Sequence, residues 1–479
     1  MPDAALLELA RRGSIHFVGI GGAGMAGLAY VLRRRGALVT GCDRADSPVL
    51  RDLERSGIAV TVGHDAAHVE GAAGIVASAA VPSEHPELEA ARRRGVPVKG
   101  RARALGELVN AGRLIAVAGT HGKTTTTAMT AQVLSALNID PTALVGGRVE
   151  EWGGNARWGG EKVYVVEADE YDRSFLELRP ELAVITTVEL EHLDCYRDRA
   201  DLEDAFARFA GPAARRLGVI ACADDPGAAR VAAAVADEHA FLYGLGPKAA
   251  LRAENLSLRE TRAAFDARWD TRSLGRFELD IPGEHNVRNA LAALAVALRF
   301  AGGEHDLEAV RAALAGFRGV ERRFQVLGDA GGVIVVDDYA HHPTELAATI
   351  RAAREGWPER RLLVLFQPHL YSRTRDFAAD FGRALAGADR AWVLDVYAAR
   401  EAPIAGVSGA LLADAAHRAG AAPGQVLFTP DAPDAVRAIL DAARPGDLCL
   451  VLGAGDVWQA AREIHAGLAG KVGGDVGAR

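Results

Sequence analysis

Three times along this chain a run of β-branched and aliphatic residues ends in a turn and restarts as an apolar-periodic helix. The runs are Ser14–Ile20, Leu114–Ala118 and Val333–Asp337, and the first two turns, Gly21–Gly24 and Gly119–Gly122, are glycine-rich. Strands that alternate with helices bury both faces as parallel sheets covered on two sides, so the expected class is α/β. Further buried runs occur at Leu38–Cys42, Val163–Glu167, Leu182–Thr187, Leu362–Phe366, Ala391–Leu394 and Leu448–Leu452. Helices are expected at about 25–35, 124–137 and 286–300. A length of 479 residues exceeds what one hydrophobic core supports. Boundaries near Glu107 and Val320 divide it into three domains, residues 1–107, 108–320 and 321–479.

Charge narrows the partners. The net charge of −8 provides no basic face for a phosphate backbone, so a nucleic-acid partner is not expected. No run of about 18 apolar residues occurs, so no membrane span is expected, and the N-terminus has the wrong order of charge and apolar residues for a signal peptide. Cys42, Cys195, Cys222 and Cys449 lie far apart and form no metal-type pair, which reads as reduced thiols in a cytoplasmic protein. Lysine occurs only at positions 99, 123, 162, 248 and 471, whereas Lys and Arg together number 55. Scattered arginines therefore carry little information, and a lysine in a glycine turn carries more.

The first turn, Gly19-Ile20-Gly21-Gly22-Ala23-Gly24, satisfies G-x-G-x-x-G between a strand and a helix, with Asp43 about 20 residues on. Glycines let the backbone approach a pyrophosphate, and the helix N-terminus adds unpaired N–H groups. Asp43 suits a ribose hydroxyl. These features fit half of a dinucleotide or a UDP-linked ligand equally well. The second turn, Gly119-Thr120-His121-Gly122-Lys123-Thr124-Thr125, resembles a phosphate-binding loop, although Val117 occupies the position of the first glycine. Its N–H groups suit phosphate oxygens, Lys123 suits the β- and γ-phosphates, and the Thr124 hydroxyl suits Mg²⁺. ATP is the expected ligand.

Metal ligands are sought where strands end. Glu167 ends one run in Glu167-Ala168-Asp169-Glu170, and His192 follows the next in Glu191-His192-Leu193-Asp194. Mg²⁺ prefers oxygen, so the imidazole is the weaker candidate on chemistry alone. Asn286 and Asn289 lie three apart at a helix start in Gly283-Glu284-His285-Asn286-Val287-Arg288-Asn289, sharing a face that suits an adenine edge, although Asn286 suits an N-cap as well. Arg322-Arg323 is a basic pair at the second boundary. Asp337-Asp338-Tyr339-Ala340-His341-His342-Pro343 and Gln367-Pro368-His369-Leu370-Tyr371-Ser372-Arg373 occupy the ends of two strands, and Arg373 suits a free carboxylate.

In their order, GIGGAGMAGLA, GTHGKTTTT, EADE, EHLD, GEHNVRNALAA, RRFQ, DDYAHHPTE, QPHLYSRT and LGAGD resemble the Mur ligases from about Ser14 to Leu468. The resemblance implies a Rossmann-like N-terminal domain, a central P-loop ATPase domain and a Rossmann-like C-terminal domain. It implies ATP-dependent joining of L-alanine to UDP-N-acetylmuramate through an acyl phosphate, in peptidoglycan precursor synthesis. It assigns Gly21, Gly22, Ala23, Gly24, Met25, Asp43 and Ser78 to the UDP-sugar. Gly119, Thr120, His121, Gly122, Lys123, Thr124, Thr125, His285, Asn286, Asn289, Arg323 and Asp338 go to ATP, and Thr124, Glu167 and His192 to Mg²⁺. Lys123, His192, His341 and Arg373 are the implied catalytic group, and a monomer or weak homodimer is the implied assembly.

Several members carry a carbamylated lysine shortly after the metal histidine, but no lysine lies between Lys162 and Lys248 here, which suits an alanine-adding branch. Tyr171 replaces a common Ser, and Leu370 stands where many relatives have Arg, leaving the number of carboxylate-clamping arginines open. The alternatives are a related ligase that recycles a tripeptide and, in another class, an NAD-dependent oxidoreductase. The latter explains Gly19–Gly24 and Asp43 but leaves Lys123, Glu167 and His192 without a role.

Overall fold

The computed structural model describes residues 5–192, 195–236, 240–301, 306–399 and 401–476. Three sheets carry the architecture. In the first, strands run in the order Ala59–Val62, Val39–Asp43, Ser14–Val18, Ala72–Ala77, Val98–Gly100, all parallel. The order reverses beside Ser14–Val18, the switch point at which open α/β sheets bind ligands. The first strand stops short of the expected Ile20 because Gly19 takes φ +77, a left-handed conformation that breaks the ladder and starts the turn.

The central sheet is built on the parallel neighbours Gly218–Cys222, Leu182–Ile185, Arg113–Ala118, Val163–Glu167 and Thr142–Val149. Nearly every residue of these first four strands is buried, so they read as continuous apolar runs rather than alternations. Gly154–Arg157 closes one edge antiparallel to Thr142–Val149. The third sheet runs Gln325–Ala330, Val333–Asp338, Asp447–Leu452, Arg361–Phe366, Arg390–Val393, Val426–Phe428, parallel except for its first pair. Separate apolar clusters cover its two faces: Leu346, Phe366 and Leu385 belong to one, Trp392, Ile439 and Ile464 to the other.

The sequence reading missed Thr142–Val149, Gly154–Arg157, Gln325–Ala330 and the strands Leu251–Arg259, Arg262–Trp269 and Arg272–Leu279. Gly154–Arg157 and Gln325–Ala330 are edge strands, Thr142–Val149 is interrupted by Gly146 and Gly147, and the last three are half-exposed, Arg-rich strands whose outward residues dilute the apolar signal. By contacts the chain forms two compact units. One comprises Met1–Asn255, Phe265–Glu278 and Val287–Val320; the other comprises Leu256–Ala264, Leu279–Asn286 and Glu321–Arg479. Within the first unit, Arg35 joins Glu161 at 2.6 Å and the Tyr164 hydroxyl at 3.0 Å, and Asn155 donates to the Ala23 carbonyl. These contacts fasten the first sheet's glycine turn to the central sheet.

Candidate active site

The first glycine turn is held by its own aspartate. Asp43 ends the strand Val39–Asp43, and its Oδ2 accepts from Gly21 N–H at 2.8 Å while Oδ1 accepts from Arg44 N–H at 2.7 Å. A methyl group on Gly21 would sit 2.9 Å from that carboxylate, which explains the glycine. Helix Ala23–Arg34 starts without a side-chain cap, so its first N–H groups face outward as a positive end. Ser78 follows the strand Ala72–Ala77, and a methyl on Gly19 would meet its Cβ at 3.1 Å. Met25 is buried, its N–H bonded to the Gly22 carbonyl at 2.9 Å.

The second turn is held by a buried charge system. Gly119 takes φ +144, and a methyl there would meet Thr186 Oγ1 at 2.0 Å. Gly122, at φ +79, precedes helix Lys123–Ala136, and its missing methyl leaves room for Asn289 Oδ1. Thr186 Oγ1 donates to the His121 carbonyl at 2.5 Å, and the Thr187 hydroxyl accepts from His121 N–H at 2.9 Å. His121 Nε2 lies 3.2 Å from Glu189, and the Thr120 hydroxyl bonds the Glu189 backbone. Thr124 and Thr125 are buried in the first helical turn.

Lys123 Nζ donates to the Gly119 carbonyl at 2.5 Å, the Thr120 carbonyl at 3.2 Å and Glu170 Oε1 at 2.8 Å. Burial opposes its charge, but Glu170, Asp169 and Glu167 outweigh burial and hold its pKa above the ordinary lysine value. Burial likewise opposes ionised Glu170, and Lys123 and His192 overcome it, so its pKa falls. His192, at φ +56, places Nε2 3.7 Å from Glu170 and 4.0 Å from Glu191. Burial lowers its pKa and Glu170 raises it, with the increase prevailing. Tyr171 meets the His192 ring edge-on at 5.1 Å. Glu170, Glu191 and His192 form a group of ligand atoms within 4.8 Å of one another. Glu170 and Glu191 were not singled out from sequence, although both belong to the two acidic motifs; only burial distinguishes them. Leu193 and Asp194 of the second motif lie outside the described residues.

Glu167, the expected ligand, ends its strand and accepts from Gly146 N–H at 2.6 Å. It lines a cavity of about 230 Å³ together with Ala23, Gly24, Arg101, Asn155 and Asp169. The cavity thus joins the first glycine turn to the strand end beside the second. Asn289, on helix Glu284–Phe300, accepts from the Thr126 hydroxyl at 3.1 Å.

In the other unit, Asn286 Nδ2 donates to the Pro282 carbonyl at 2.7 Å from inside the first helical turn, so it is not the N-cap. His285 occupies the space beside Gly283. Asp338 is buried, its two oxygens each accepting at 2.7 Å from Phe324 and Ala340 N–H. Burial pushes its carboxyl up to about 6, against the pull of Arg323. Arg322 and Arg323 stack on the Tyr339 ring at 5.0 and 5.2 Å, and Arg323 lies 3.5 Å from Glu345. His341 Nδ1 lies 3.1 Å from Glu345, and its ring stands 5.9 Å from that of His369. His369 in turn receives the buried Arg373 at 3.3 Å. Leu370 keeps φ +68, held by its N–H to the Tyr397 carbonyl at 3.0 Å and by Thr374 Oγ1 on its carbonyl at 2.7 Å. Asp338, His341 and Arg373 therefore lie at or beyond the carboxyl ends of two strands of one sheet, Val333–Asp338 and Arg361–Phe366, with Asp447–Leu452 between them.

Comparisons with known proteins agree with this layout. Family models match residues 14–113 (Mur ligase family, catalytic domain), 117–297 (Mur ligase middle domain) and 322–455 (Mur ligase, glutamate ligase domain). The UDP-N-acetylmuramate–L-alanine ligase of Salinibacter ruber is 45% identical over 94% of this chain and 94% of its own length. That of Bordetella petrii is also 45% identical, over 92% of this chain and 96% of its own. The solved UDP-N-acetylmuramate–alanine ligase of Thermotoga maritima superposes with a TM-score of 0.79 at 29% identity, covering 94% of this chain and 98% of that one. A nicotinamide oxidoreductase is thereby set aside, since these matches span both glycine turns and the acidic clusters behind the second. The chain belongs to the Mur ligase family.

Proposed function

We infer that three domains, residues 1–107, 108–320 and 321–479, divide a single ligation among them. The chain is an ATP-dependent ligase that joins L-alanine to UDP-N-acetylmuramate in peptidoglycan synthesis. A carboxylate is a poor acyl donor because oxide would have to leave. Transfer of the γ-phosphoryl group of ATP onto the muramate carboxylate releases ADP and gives an acyl phosphate. The alanine amine then attacks the acyl carbon, loses a proton, and phosphate departs as the amide forms.

The observation that carries this reading is the cavity that Gly24 and Glu167 share. The Gly21–Gly24 backbone, with Met25, Asp43 and Ser78, takes the UDP-sugar, so its carboxylate faces the ATP side. Gly119–Thr125 cradle the triphosphate. Lys123 exchanges its loop-carbonyl bonds for phosphate oxygens and neutralises charge as the γ-phosphoryl group moves. His285, Asn286, Asn289, Arg323 and Asp338 serve the adenosine side, and His341 and Arg373 receive alanine, Arg373 by its carboxylate.

The residues fit Mg²⁺. Glu170 Oε2 is a buried oxygen with no hydrogen-bond partner, and Glu191 and His192 stand beside it. Thr124, Glu167 and His192, with Glu170 near, would hold the ion, which when bound neutralises phosphate charge. No described helix is long and apolar enough to cross a membrane. We propose a cytoplasmic enzyme acting as a monomer or weak homodimer.

The test is phosphate release from the full chain with ATP, Mg²⁺, UDP-N-acetylmuramate and an amino donor. Release should require both cosubstrates and run much faster with L-alanine than with a tripeptide. Release that ignores the amino donor sinks the assignment.

A further inference from the structure

Away from the nucleotide turns, one face of the first sheet carries four ligating side chains in an otherwise apolar layer. His16 on Ser14–Val18 and Cys42 on Val39–Asp43 point to the same face, since His16 pairs with Thr40 two residues before Cys42. Glu87, from helix Pro86–Arg94, and His68, from the turn Ala66–Val69, cover that face beside Val69, Ile75 and Leu88. The ligand atoms of His16, Cys42, His68 and Glu87 all lie within 4.8 Å of one another. Cys42 Sγ is 3.2 and 3.1 Å from the two Glu87 oxygens, and His68 Nδ1 is 2.9 Å from Oε1.

Two observations are unusual. The Glu87 carboxylate is fully buried, yet among the described residues its hydrogen-bonding and ion-pair neighbours are imidazoles, a thiol and the Asp65 N–H rather than Lys or Arg. An ionised carboxylate in such a place costs several kcal/mol without a compensating cation. Moreover His16, only 3% exposed, leaves Nε2 with no hydrogen-bond partner, aimed at the cluster 3.8 Å from Glu87 Oε2. Its other nitrogen, Nδ1, is fixed by the Thr40 hydroxyl at 2.8 Å. That is how a metal-binding histidine is oriented, one nitrogen tied and the other presented.

We propose that His16, Cys42, His68 and Glu87 form a structural Zn²⁺ site in the first domain. A thiolate, two imidazoles and a carboxylate suit borderline-soft zinc and not magnesium. Tetrahedral zinc with bonds of about 2.0–2.3 Å spaces its ligands roughly 3.3–3.6 Å apart, close to the separations here. Charge balances as well: Zn²⁺ enters, the Cys42 thiol releases its proton to solvent, and thiolate plus carboxylate cancel the metal's charge. His64, with Nδ1 3.3 Å from Cys42 Sγ and 3.4 Å from Glu87, stands just outside and supports the thiolate. Because Cys42 precedes Asp43, the ion would brace the residue that holds the Gly21 N–H.

The tag-free full chain, grown with added zinc and dialysed, should retain about one zinc per chain by plasma mass spectrometry. Replaced by Co²⁺, it should show a thiolate-to-cobalt charge-transfer band and tetrahedral d–d bands. Cys42→Ser should abolish the charge-transfer band, and His16→Asn should lower metal retention at least tenfold, with folding checked by circular dichroism. Cys195 donates its N–H to the His192 carbonyl at 2.8 Å and so lies near the ATP-side ligands; the spectra are therefore recorded in a Cys195→Ser background, where a band can come only from the proposed site. The wild-type result stands even if both variants unfold. Retention below about one-tenth of an equivalent, or a charge-transfer band that survives in Cys42→Ser, overturns the site.

Discussion

The two glycine turns of the first unit share a backbone plan and differ in what holds them. Each leaves a parallel strand, bends at a left-handed glycine and enters a helix whose first N–H groups are unclaimed by a side chain. At Gly19–Gly24 the holding group is a partly exposed aspartate that accepts from Gly21 N–H. At Gly119–Gly122 it is a network of buried Glu170 and Thr186 with half-buried Lys123 and Thr187. In the proposed function the first arrangement would accept a diphosphate and leave it unchanged, and the second would surrender its cation from the acids to a phosphate in transit. The difference between a binding turn and a reacting turn therefore lies in the flanking side chains and their burial, not in the glycines.

The largest test of this contrast is Lys123→Ala. Turnover should fall by on the order of 10²-fold or more, while UDP-sugar affinity measured by calorimetry changes less than about threefold. Equal loss of both would erase the distinction between the turns. Next in size is Gly119→Ala, where a new methyl meets Thr186 Oγ1 and backbone at a positive φ. A loss of about 3 kcal/mol is expected in urea unfolding, and a neutral outcome would mean the turn is not rigidly held.

Asp338 sharpens the comparison as a buried counterpart of Asp43, since each bonds two backbone N–H groups at a strand end. With its folded pKa raised to about 6, the protonated carboxyl stabilises the fold fully below the unfolded value near 4, and this is lost as pH rises through 6. The slope, about 3 kcal/mol across that window, should be seen in urea midpoints at low and neutral pH and flatten in Asp338→Asn. Parallel slopes in both proteins would remove the burial argument. The smallest effect belongs to Gly21→Ala. Its methyl meets the ends of two side chains, the Asp43 carboxylate and Leu50 Cδ2, which can turn aside, so UDP-sugar binding should weaken by about 1 kcal/mol with folding intact. A loss of folding comparable to Gly119→Ala would show that the two turns are equally stiff.

What the sequence determined alone follows from local chemistry. Glycines where φ must be positive, a rare lysine after a turn and apolar runs at regular spacing announced the parallel sheets, the two nucleotide turns and the order of motifs along the chain. Half-exposed strands such as Arg262–Trp269 were invisible because their outward faces carry ordinary surface charge. Only the tertiary structure singled out Glu170 and Glu191 from their acidic neighbours, because desolvation and a cation contributed from another element are properties of packing. The same holds for His16, Cys42, His68 and Glu87, which are separated by up to 71 residues in sequence and share no spacing signature. Strand register and a covering helix bring them within a few ångströms, and no linear pattern records that distance.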